Sequence, residues 1–431
     1  MKFSVQVKDF ARGLEPVVSV AVKGVTKEYE NAFFITLIVD ENGITGVADG
    51  GKVSIYADIT NSRFDKLNFK HGVSGVATVK AADLKAVLAS IDENEIINVE
   101  VTGDDDAGCE LMFTLESDPE QFQTLPINSE NISRDRYIDD YMEAVSDDDG
   151  LQIRRDLFAS GASALTFTHG FEEYRPAYLY WVIRASKDEL RFASGSGGRF
   201  AVLEYIGHDL SNATDTTALV VPNEQTQVFV DIVSKVNDEM IILHKTDRHL
   251  VLKTNNFIAV ASNYDPEIQW PDLDVFLKRE NNLRLTTRVG SWPNAVKGLA
   301  ATYNEDAKKA FDYHVANLNI DLTGNIITAK TTGSTMRSKR KINIEDVEIK
   351  DSDSMSAVNL NFLSKYLFEA FKNASDDEHV QIEIESELKP VVIRYHAGQQ
   401  VGEADDFRKP NGLFGVDERF TVFFATFTED D

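Results

Sequence analysis

Leu190–Val202 reads L-R-F-A-S-G-S-G-G-R-F-A-V. Leu190 and Phe192 alternate with Arg191 and Ala193, the chain then crosses five residues of Gly and Ser, and an apolar run resumes at Arg199. A glycine-rich turn between two alternating runs is a hairpin signal, because glycine reaches positive φ without a Cβ clash. The surrounding pattern occurs three times: I-V-D-E-N-G-I-T-G-V-A-D-G around Ala48, I-R-A-S-K-D-E-L-R-F-A-S-G around Ala193, and I-D-L-T-G-N-I-I-T-A-K-T-T around Ala329. A second triplet, Val79, Val221 and Val358, follows at nearly the same period of about 140 residues, and an amphipathic stretch and then strands follow each valine. Two markers in one register argue for three copies of one domain.

Working outward, each copy reads as an α+β unit of strand, helix and strands, twice over. The boundaries are 1–130, 148–280 and 283–431, with the acidic stretch Asn128–Gly150 as a linker. The helices expected from periodicity are Lys8–Val20, Lys80–Ile91, Arg154–Ala164, Asn223–Val236, Arg288–Tyr303 and Asn361–Asn373. Pro16 is expected to end or kink the first. The first unit closes with strands Ile96–Val101 and Glu110–Leu115. Gly402–Arg419 reads as an inserted loop before a final strand, Phe420–Phe427.

The 431 residues divide into thirds of ordinary domain size. A hydrophobic content of 42% suits packed cores. The net charge of −27 means that any contact with nucleic acid has to be local. Cys109, the single cysteine, excludes an internal disulfide framework or a cysteine zinc site and suits a reducing cytoplasm. The start M-K-F-S-V-Q-V carries no apolar leader, and no apolar run has membrane-spanning length; the expectation is a soluble, intracellular protein.

Catalytic and cofactor motifs are missing. Ser194–Gly198 lacks the lysine of a phosphate loop. His244, Asp247 and His249 match no metal-ligand spacing, and the Asp104–Asp106 and Asp147–Asp149 runs lack the calcium-loop pattern. There is no nucleophile elbow. No enzyme activity, cofactor or metal is expected. The helical stretches, in contrast, carry more basic than acidic residues inside an acidic chain. Lys8, Arg12, Lys80, Lys85, Arg154, Arg155, Lys235, Arg288, Lys297, Lys365 and Lys372 lie on them, and Lys23, Lys27, Lys308 and Lys309 follow in loops. That segregation is what a DNA-facing surface needs. Met336–Lys341 (M-R-S-K-R-K) is a further basic cluster, readable also as a solvated hairpin edge.

The start M-K-F-S-V-Q-V-K-D-F, the opening stretch L-R-F-A-S-G-S-G-G-R-F-A-V and the run Ala218–Leu277 (A-L-V-V-P-N…I-Q-W-P-D-L-D-V-F-L) resemble the bacterial sliding clamp, the β subunit of the replicative DNA polymerase. The three-unit plan is similar over essentially the whole chain, whose length and divergence imply a viral or otherwise distant member. The resemblance implies a homodimeric ring of six domains, with helices lining the hole, sheets on the rim and double-stranded DNA inside, held without regard to sequence. It implies that Phe113 and Leu115 meet Ala301 and Thr302 of a second copy. It implies a pocket between the second and third domains for linear peptides of a polymerase and a clamp loader, formed by Leu179, Gly195, Gly197, Arg199, Phe200, Pro271, Val275, Phe276, Leu388 and Val422, Phe423, Phe424, Ala425 and Thr426. Gly198 and Ser196 stand where the family has His and Asp, and V-F-F-A-T-F replaces its closing M-P-M-R-L, so peptide preference is expected to differ. The competing reading is a clamp-like structural or interaction protein, viral in origin, that does not encircle DNA.

Overall fold

The structure is a computed structural model. It describes residues 1–23, 33–59, 69–104, 108–128, 150–170, 175–236, 238–246, 249–261, 265, 267–270, 272, 277, 281–292, 315–332, 337–350, 357–363, 370–371, 378–386, 389–395 and 417–424. Strands dominate, few helices accompany them, and the class is α+β. By contacts the chain falls into two compact units. The first comprises Met1–Ser163, Ser211–Ala213 and Leu219–Ile268; the second comprises Ala164–Leu210, Thr214–Ala218 and Gln269–Asp431.

The first unit holds helices α1 (Val7–Lys23), α2 (Ala81–Ala89) and α4 (Asn223–Val233), and most of α3 (Arg155–Leu165), which leads out of it. On α1, Phe10, Leu14, Val17 and Ala21 fall on one face and are buried. That face packs on α2, on α4 and on the strands Ile44–Asp49 and Val53–Asp58. Pro16 does not end the helix, which continues to Lys23. A mid-helix proline costs about 3 kcal/mol, and the buried side chains on either side of it offset that cost. Phe3 meets Phe10 edge-on at 5.7 Å, locking the first strand onto the helix.

Two antiparallel sheets complete this unit. The five-stranded one runs Lys70–Val73, Lys2–Gln6, Ile96–Asp104, Gly108–Leu115, Phe122–Pro126. The eight-stranded one runs Leu151–Arg154, Met240–Lys245, Leu250–Lys253, Phe257–Ala261, Val53–Asp58, Ile44–Asp49, Phe34–Val39, Gly75–Lys80. Its middle is a seam where Phe257 faces Ala57 and Ala261 faces Val53, so strands about 200 residues apart in sequence are neighbours. Both flanking strands are strongly apolar, which makes burial at the sheet centre favourable.

The second unit is built the same way. Its large sheet begins with Thr217–Pro222, along which the chain leaves the unit, and continues Tyr180–Ala185, Glu189–Ser196, Arg199–Ile206, Asp417–Phe424, Val391–Tyr395, His379–Ile384, Leu283–Arg288, Asp346–Ile349. The seam lies between Arg199–Ile206 and Asp417–Phe424, where Phe200 faces Phe423. Trp181, Phe192 and Tyr205 form a buried ring ladder with spacings of 5.8 and 5.9 Å. Trp292 stacks on Phe371 at 4.9 Å and donates its indole N–H to Thr287 Oγ1 at 2.7 Å.

The small sheet runs Arg337–Asn343, Ile326–Thr332, Val315–Asp321, Ala357–Leu363. Leu318, Ile320, Val358, Leu360 and Phe362 turn to the core. On its other face Asn317 and Asn319 donate to Asn361 and Asn359 directly opposite, at 2.9 and 2.8 Å.

Four expected helix starts fall in strands, and the described helix ends shift by one to three residues, to Lys23, Ala89, Leu165 and Val233. Lys80, Arg154 and Arg288 end strands rather than begin helices, and Asn361 lies inside the strand Ala357–Leu363. In that last case A-V-N-L-N-F-L alternates with period two, and burial of Val358, Leu360 and Phe362 makes it a strand. Of the rest of the two expected third-copy helices, Val289–Trp292, Phe362–Leu363 and Ala370–Phe371 are described, with helix at Ser291, Trp292 and Ala370, and residues 293–303, 364–369 and 372–373 lie outside the described residues. The greater part of the acidic linker and residues 402–416 of the expected loop lie outside them too, while Asp417–Arg419 begin the last strand rather than end a loop. Phe122–Pro126 is a strand that the periodicity reading does not include, because it is short, polar and bounded by proline. Among the described residues, nothing pairs with the outer edges of Phe122–Pro126 or Arg337–Asn343. No helix among them is long and apolar enough to cross a membrane.

Candidate functional site

The hairpin of Glu189–Ser196 and Arg199–Ile206 lies within the second unit. Ser196 faces Arg199 across a turn of Gly197 and Gly198, and Arg199–Ile206 is held between Glu189–Ser196 and Asp417–Phe424. This position in the middle of the sheet fixes the turn at the end of a rigid ladder. Gly195 is required by close approach: a Cβ there would overlap the Phe200 ring. The missing side chain lets Phe200 lie flat beside its own hairpin.

Three rings gather on that spot. Tyr178, on the single turn Pro176–Leu179, meets Phe200 edge-on at 5.4 Å. Trp270 is edge-on to both, 6.3 Å from each ring. The Trp270 indole N–H donates to the Tyr180 carbonyl at 3.0 Å, which anchors a segment that has no sheet partner of its own. All three rings are half-buried, so each keeps apolar surface accessible.

One guanidinium group borders the three rings, and a second lies over Phe167. Arg175 lies 5.8 Å above the Tyr178 ring and beside Gly197. Arg199 lies 5.9 Å above the Phe167 ring, itself 6.3 Å from Phe420. Cations over aromatic faces are held by the ring quadrupole. Beneath Arg199 the buried His169 is lowered to about 4, first by burial and then by the Arg199 charge, so its imidazole is neutral at pH 7.

A buried carboxylate lies elsewhere in the same sheet, three strands from the hairpin. Glu383 takes Arg284 and Arg394, each at 3.3 Å, and accepts from Asn281 Nδ2 at 2.7 Å. Arg394 then donates to the Leu277 carbonyl at 3.2 Å. Pairing and extra hydrogen bonds are what make such a buried charge tolerable. The three rings and Arg175 make an apolar patch with a positive border, and among the described residues it holds no nucleophile–base pair.

Of the residues expected here, Gly195, Gly197, Arg199 and Phe200 come together at the turn, and Leu179 follows Tyr178 in the adjoining single turn. Val422 and Phe423 are buried in the seam strand, and Phe424 ends it. Pro271, Val275, Phe276, Leu388, Ala425 and Thr426 lie outside the described residues. Arg175, Tyr178 and Trp270 are additions. They stand in irregular segments where periodicity carries no signal, and only the aromatic content of P-A-Y-L-Y-W and I-Q-W-P marks them.

The expected DNA-facing residues divide. Lys8, Arg12, Lys80, Lys85, Lys235 and Arg288 are exposed, while Arg154 and Arg155 are half-buried. Several are engaged within the chain: Lys235 with Glu15 at 3.7 Å, Arg154 with Asp156 at 2.6 Å and Arg288 with Glu345 at 3.0 Å. Arg155 donates to the Val236 carbonyl just beyond α4, where positive charge complements the helix dipole. Lys23 ends α1; Lys27, Lys297, Lys308, Lys309, Lys365 and Lys372 lie outside the described residues.

Phe113 is 2% exposed and belongs to the core of its own sheet, whereas Leu115 is half-buried. Their strand is flanked on both sides, by Ile96–Asp104 and by Phe122–Pro126. The bare edge beyond carries Phe122, 64% exposed. Ala301 and Thr302 lie outside the described residues. His244, from the H-K-T-D-R-H stretch, is buried on a strand, and no group of three or more His, Cys, Asp or Glu that could hold a metal occurs among the described residues.

No family model matches the sequence, and no curated protein matches it. Solved structures do match over its whole length. The chain is similar to the DNA polymerase III beta chain of Streptococcus pneumoniae, with 15% identity, 99% of each chain covered and a TM-score of 0.74. It is similar to the DNA polymerase sliding clamp of Bacillus subtilis, with 13% identity, 99% of each chain covered and a TM-score of 0.73. It is similar to the DNA polymerase III beta subunit of Thermotoga maritima, with 10% identity, the same coverage and a TM-score of 0.71. The fold is that of the bacterial sliding clamps.

Proposed function

We propose that this chain is a non-enzymatic processivity clamp: two copies close head to tail around duplex DNA, and a DNA polymerase is tethered through a peptide docked on the aromatic site of the second unit. The observation that carries this reading is the way the sheets are joined. The order strand, helix, a middle set of strands, helix, three strands fits residues 2–126, with five strands in the middle set, and 151–261, with four; the strands of 283–424 follow it with five, which supports three repeated domains. In the first two domains the third strand of the middle set is Val53–Asp58 or Arg199–Ile206, and each is seamed to the last strand of another domain. The same rule leaves two strands over, Arg337–Asn343 in the third domain and Phe122–Pro126 in the first. A second copy supplies the missing neighbour of each.

The two edges suit each other. Lys339, Arg340 and Lys341 are exposed on one; Glu116 and Glu120 are exposed on the approach to the other, beside Phe122. Pairing them covers strand edges that otherwise invite aggregation. The likeness in fold to solved DNA polymerase sliding clamps supports the same reading. Lys8, Arg12 and Lys85, exposed on α1 and α2, meet phosphates without reading bases, so the ring slides. The protein acts wherever DNA is replicated, and tethering raises the local polymerase concentration without new chemistry.

Sedimentation tests the assembly: a chain of 48.1 kDa should run at twice that mass. After loading, retention on closed circular DNA should exceed retention on linear DNA; equal loss from both contradicts encirclement. A second reading, a clamp-like protein that does not hold DNA, draws on the pairing of Lys235, Arg154 and Arg288 with carboxylates. A strictly monomeric mass would select it.

A further inference from the structure

We infer that the open face of the small sheet in the second unit binds the phosphate backbone of duplex DNA through Lys330, Lys339 and Lys341. The contact uses none of the α1 and α2 residues and needs no closed ring, so it goes beyond the proposed function.

Leu318, Ile320, Ile327, Ala329 and Ile342 mark the core side of this sheet. Alternation along each strand sends their neighbours to the other side. There, one row across the strands reads Lys339, Lys330, Asn317, Asn361. The next reads Lys341, Thr328, Asn319, Asn359. The three lysines and Asn359 are exposed, and the others are half-buried. The asparagine pairs bond across each row and hold a line of amides on the face.

Two observations set this face apart. Lys330 stands directly opposite Lys339, an arrangement that costs stability, and none of the three lysines has an ion-pair partner among the described residues. Lys235, Arg154 and Arg288, in contrast, are taken by carboxylates. The acid on the row beyond, Asp321, accepts the N–H groups of Thr323 and Gly324 at 3.0 and 2.9 Å and closes its own turn. In a chain of net charge −27, three lysines left together make a local positive field. The second observation is a comparison. The strands Val53–Asp58, Ile44–Asp49, Phe34–Val39 and Gly75–Lys80 are joined in the same order, and there Thr36, Val47 and Thr78 on the corresponding side are buried. The third copy leaves that side open and polar.

Chemistry selects the partner. Neither row holds an apolar or aromatic side chain. The face therefore lacks the anchor pocket that a peptide needs and the stacking platform that a single strand needs. Lysine, asparagine and threonine suit phosphate and sugar contacts, which carry no base sequence. Lys339 and Lys341 lie about 7 Å apart along their strand, with Lys330 about 5 Å across from Lys339. A duplex with one charge per about 1.7 Å of axis offers phosphates to all three.

The test is fluorescence anisotropy with a short labelled linear duplex. Two duplexes of unrelated sequence should bind alike. Three phosphate contacts predict a log–log salt slope of about −2.7, so a rise from about 50 to 200 mM salt should weaken binding roughly fortyfold. Lys330→Gln should reduce the slope by about one and raise thermal melting slightly, because it relieves the opposed charges. Lys330 lies one strand inside the edge that the ring reading pairs, so the native mass should stay unchanged. Lys330→Gln with Lys339→Gln and Lys341→Gln should abolish binding. No binding at low salt, binding that survives the triple change, or a polyglutamate peptide bound as tightly as the duplex overturns the inference. Lys8→Gln with Lys85→Gln, which the ring reading expects to lower retention on circular DNA, should leave short-duplex binding in place. Loss of short-duplex binding in that variant assigns the contact to the helices: this inference then fails while the ring reading stands.

Discussion

Two hairpin turns occupy equivalent places in the two units and are surrounded by different side chains. In the first unit Ile44–Asp49 and Val53–Asp58 are joined through Gly50, Gly51 and Lys52. Asp49 Oδ1 accepts from the Gly51 N–H at 2.9 Å and the Ser54 hydroxyl at 3.0 Å, and Lys52 reaches Glu224, in the first turn of α4, at 2.8 Å. That turn satisfies its own polar groups. In the second unit the matching turn, Gly197-Gly198, is bordered by Phe200, Tyr178, Trp270 and the two arginines. Both hairpins end in a strand seamed to a distant one, so the backbone plan is shared. The side chains around the turn separate a polar corner that satisfies itself from an aromatic corner with accessible apolar surface, so one backbone plan carries two different surfaces.

The largest effect that tests this contrast comes from removing rings. Phe200→Ala with Trp270→Ala should weaken peptide docking at least a hundredfold, since each buried anchor is worth about 1.5–3 kcal/mol. The mirrored change, Asp49→Ala with Lys52→Ala, should leave docking unchanged and cost about 1 kcal/mol of stability. Loss of docking in both would break the contrast.

Acid sharpens it next. All three tryptophans lie in the second unit, so their fluorescence follows that unit alone. His169 is lowered to about 4 from 6.5. Between those values the unfolded chain binds a proton that the folded chain refuses. Stability is therefore intact above about pH 6.5 and falls as the pH drops toward 4, by on the order of 3 kcal/mol. Glu418, raised by burial, takes its proton more readily when folded and opposes part of that loss. His169→Gln should flatten the fluorescence-monitored pH dependence of unfolding; an unchanged slope would assign it to other groups.

A smaller effect is expected at the bare edge. Phe122→Asp should raise the dimer dissociation constant roughly thirtyfold in sedimentation, about 2 kcal/mol, and leave the monomer folded. Phe113→Asp, one strand inward, should unfold the first unit instead, because it buries an unpaired charge. Smallest is Gly51→Ala. Gly51 has φ +81°, where a Cβ costs about 1 kcal/mol, so thermal melting should shift by a few degrees while peptide docking stays the same.

Much of the local structure was legible in the sequence. The buried face of α1, the hairpin around Gly197 and the strand alternation follow from periodicity and turn chemistry. The two seams were not, because Ala57 and Phe257, or Phe200 and Phe423, carry no sequence mark of being partners. Phe113 shows the same limit: alternation identifies it as a strand residue, but whether its strand lies inside a sheet or at an edge depends on Phe122–Pro126. At the site, the glycines, Arg199 and Phe200 were visible as a turn. Arg175, Tyr178 and Trp270 were not, since contacts across irregular segments have no period to detect.

The seams also govern how the chain must be made. Val53–Asp58 has no neighbour on its outer side until Phe257–Ala261 exists, and Arg199–Ile206 waits equally long for Asp417–Phe424. At roughly 5–20 residues per second on a ribosome, each wait lasts on the order of 10–40 s. During it an apolar strand edge stands open on a growing polypeptide. Neither sheet can be completed before its distant strand emerges, so the nascent chain depends on whatever shields those edges until synthesis catches up.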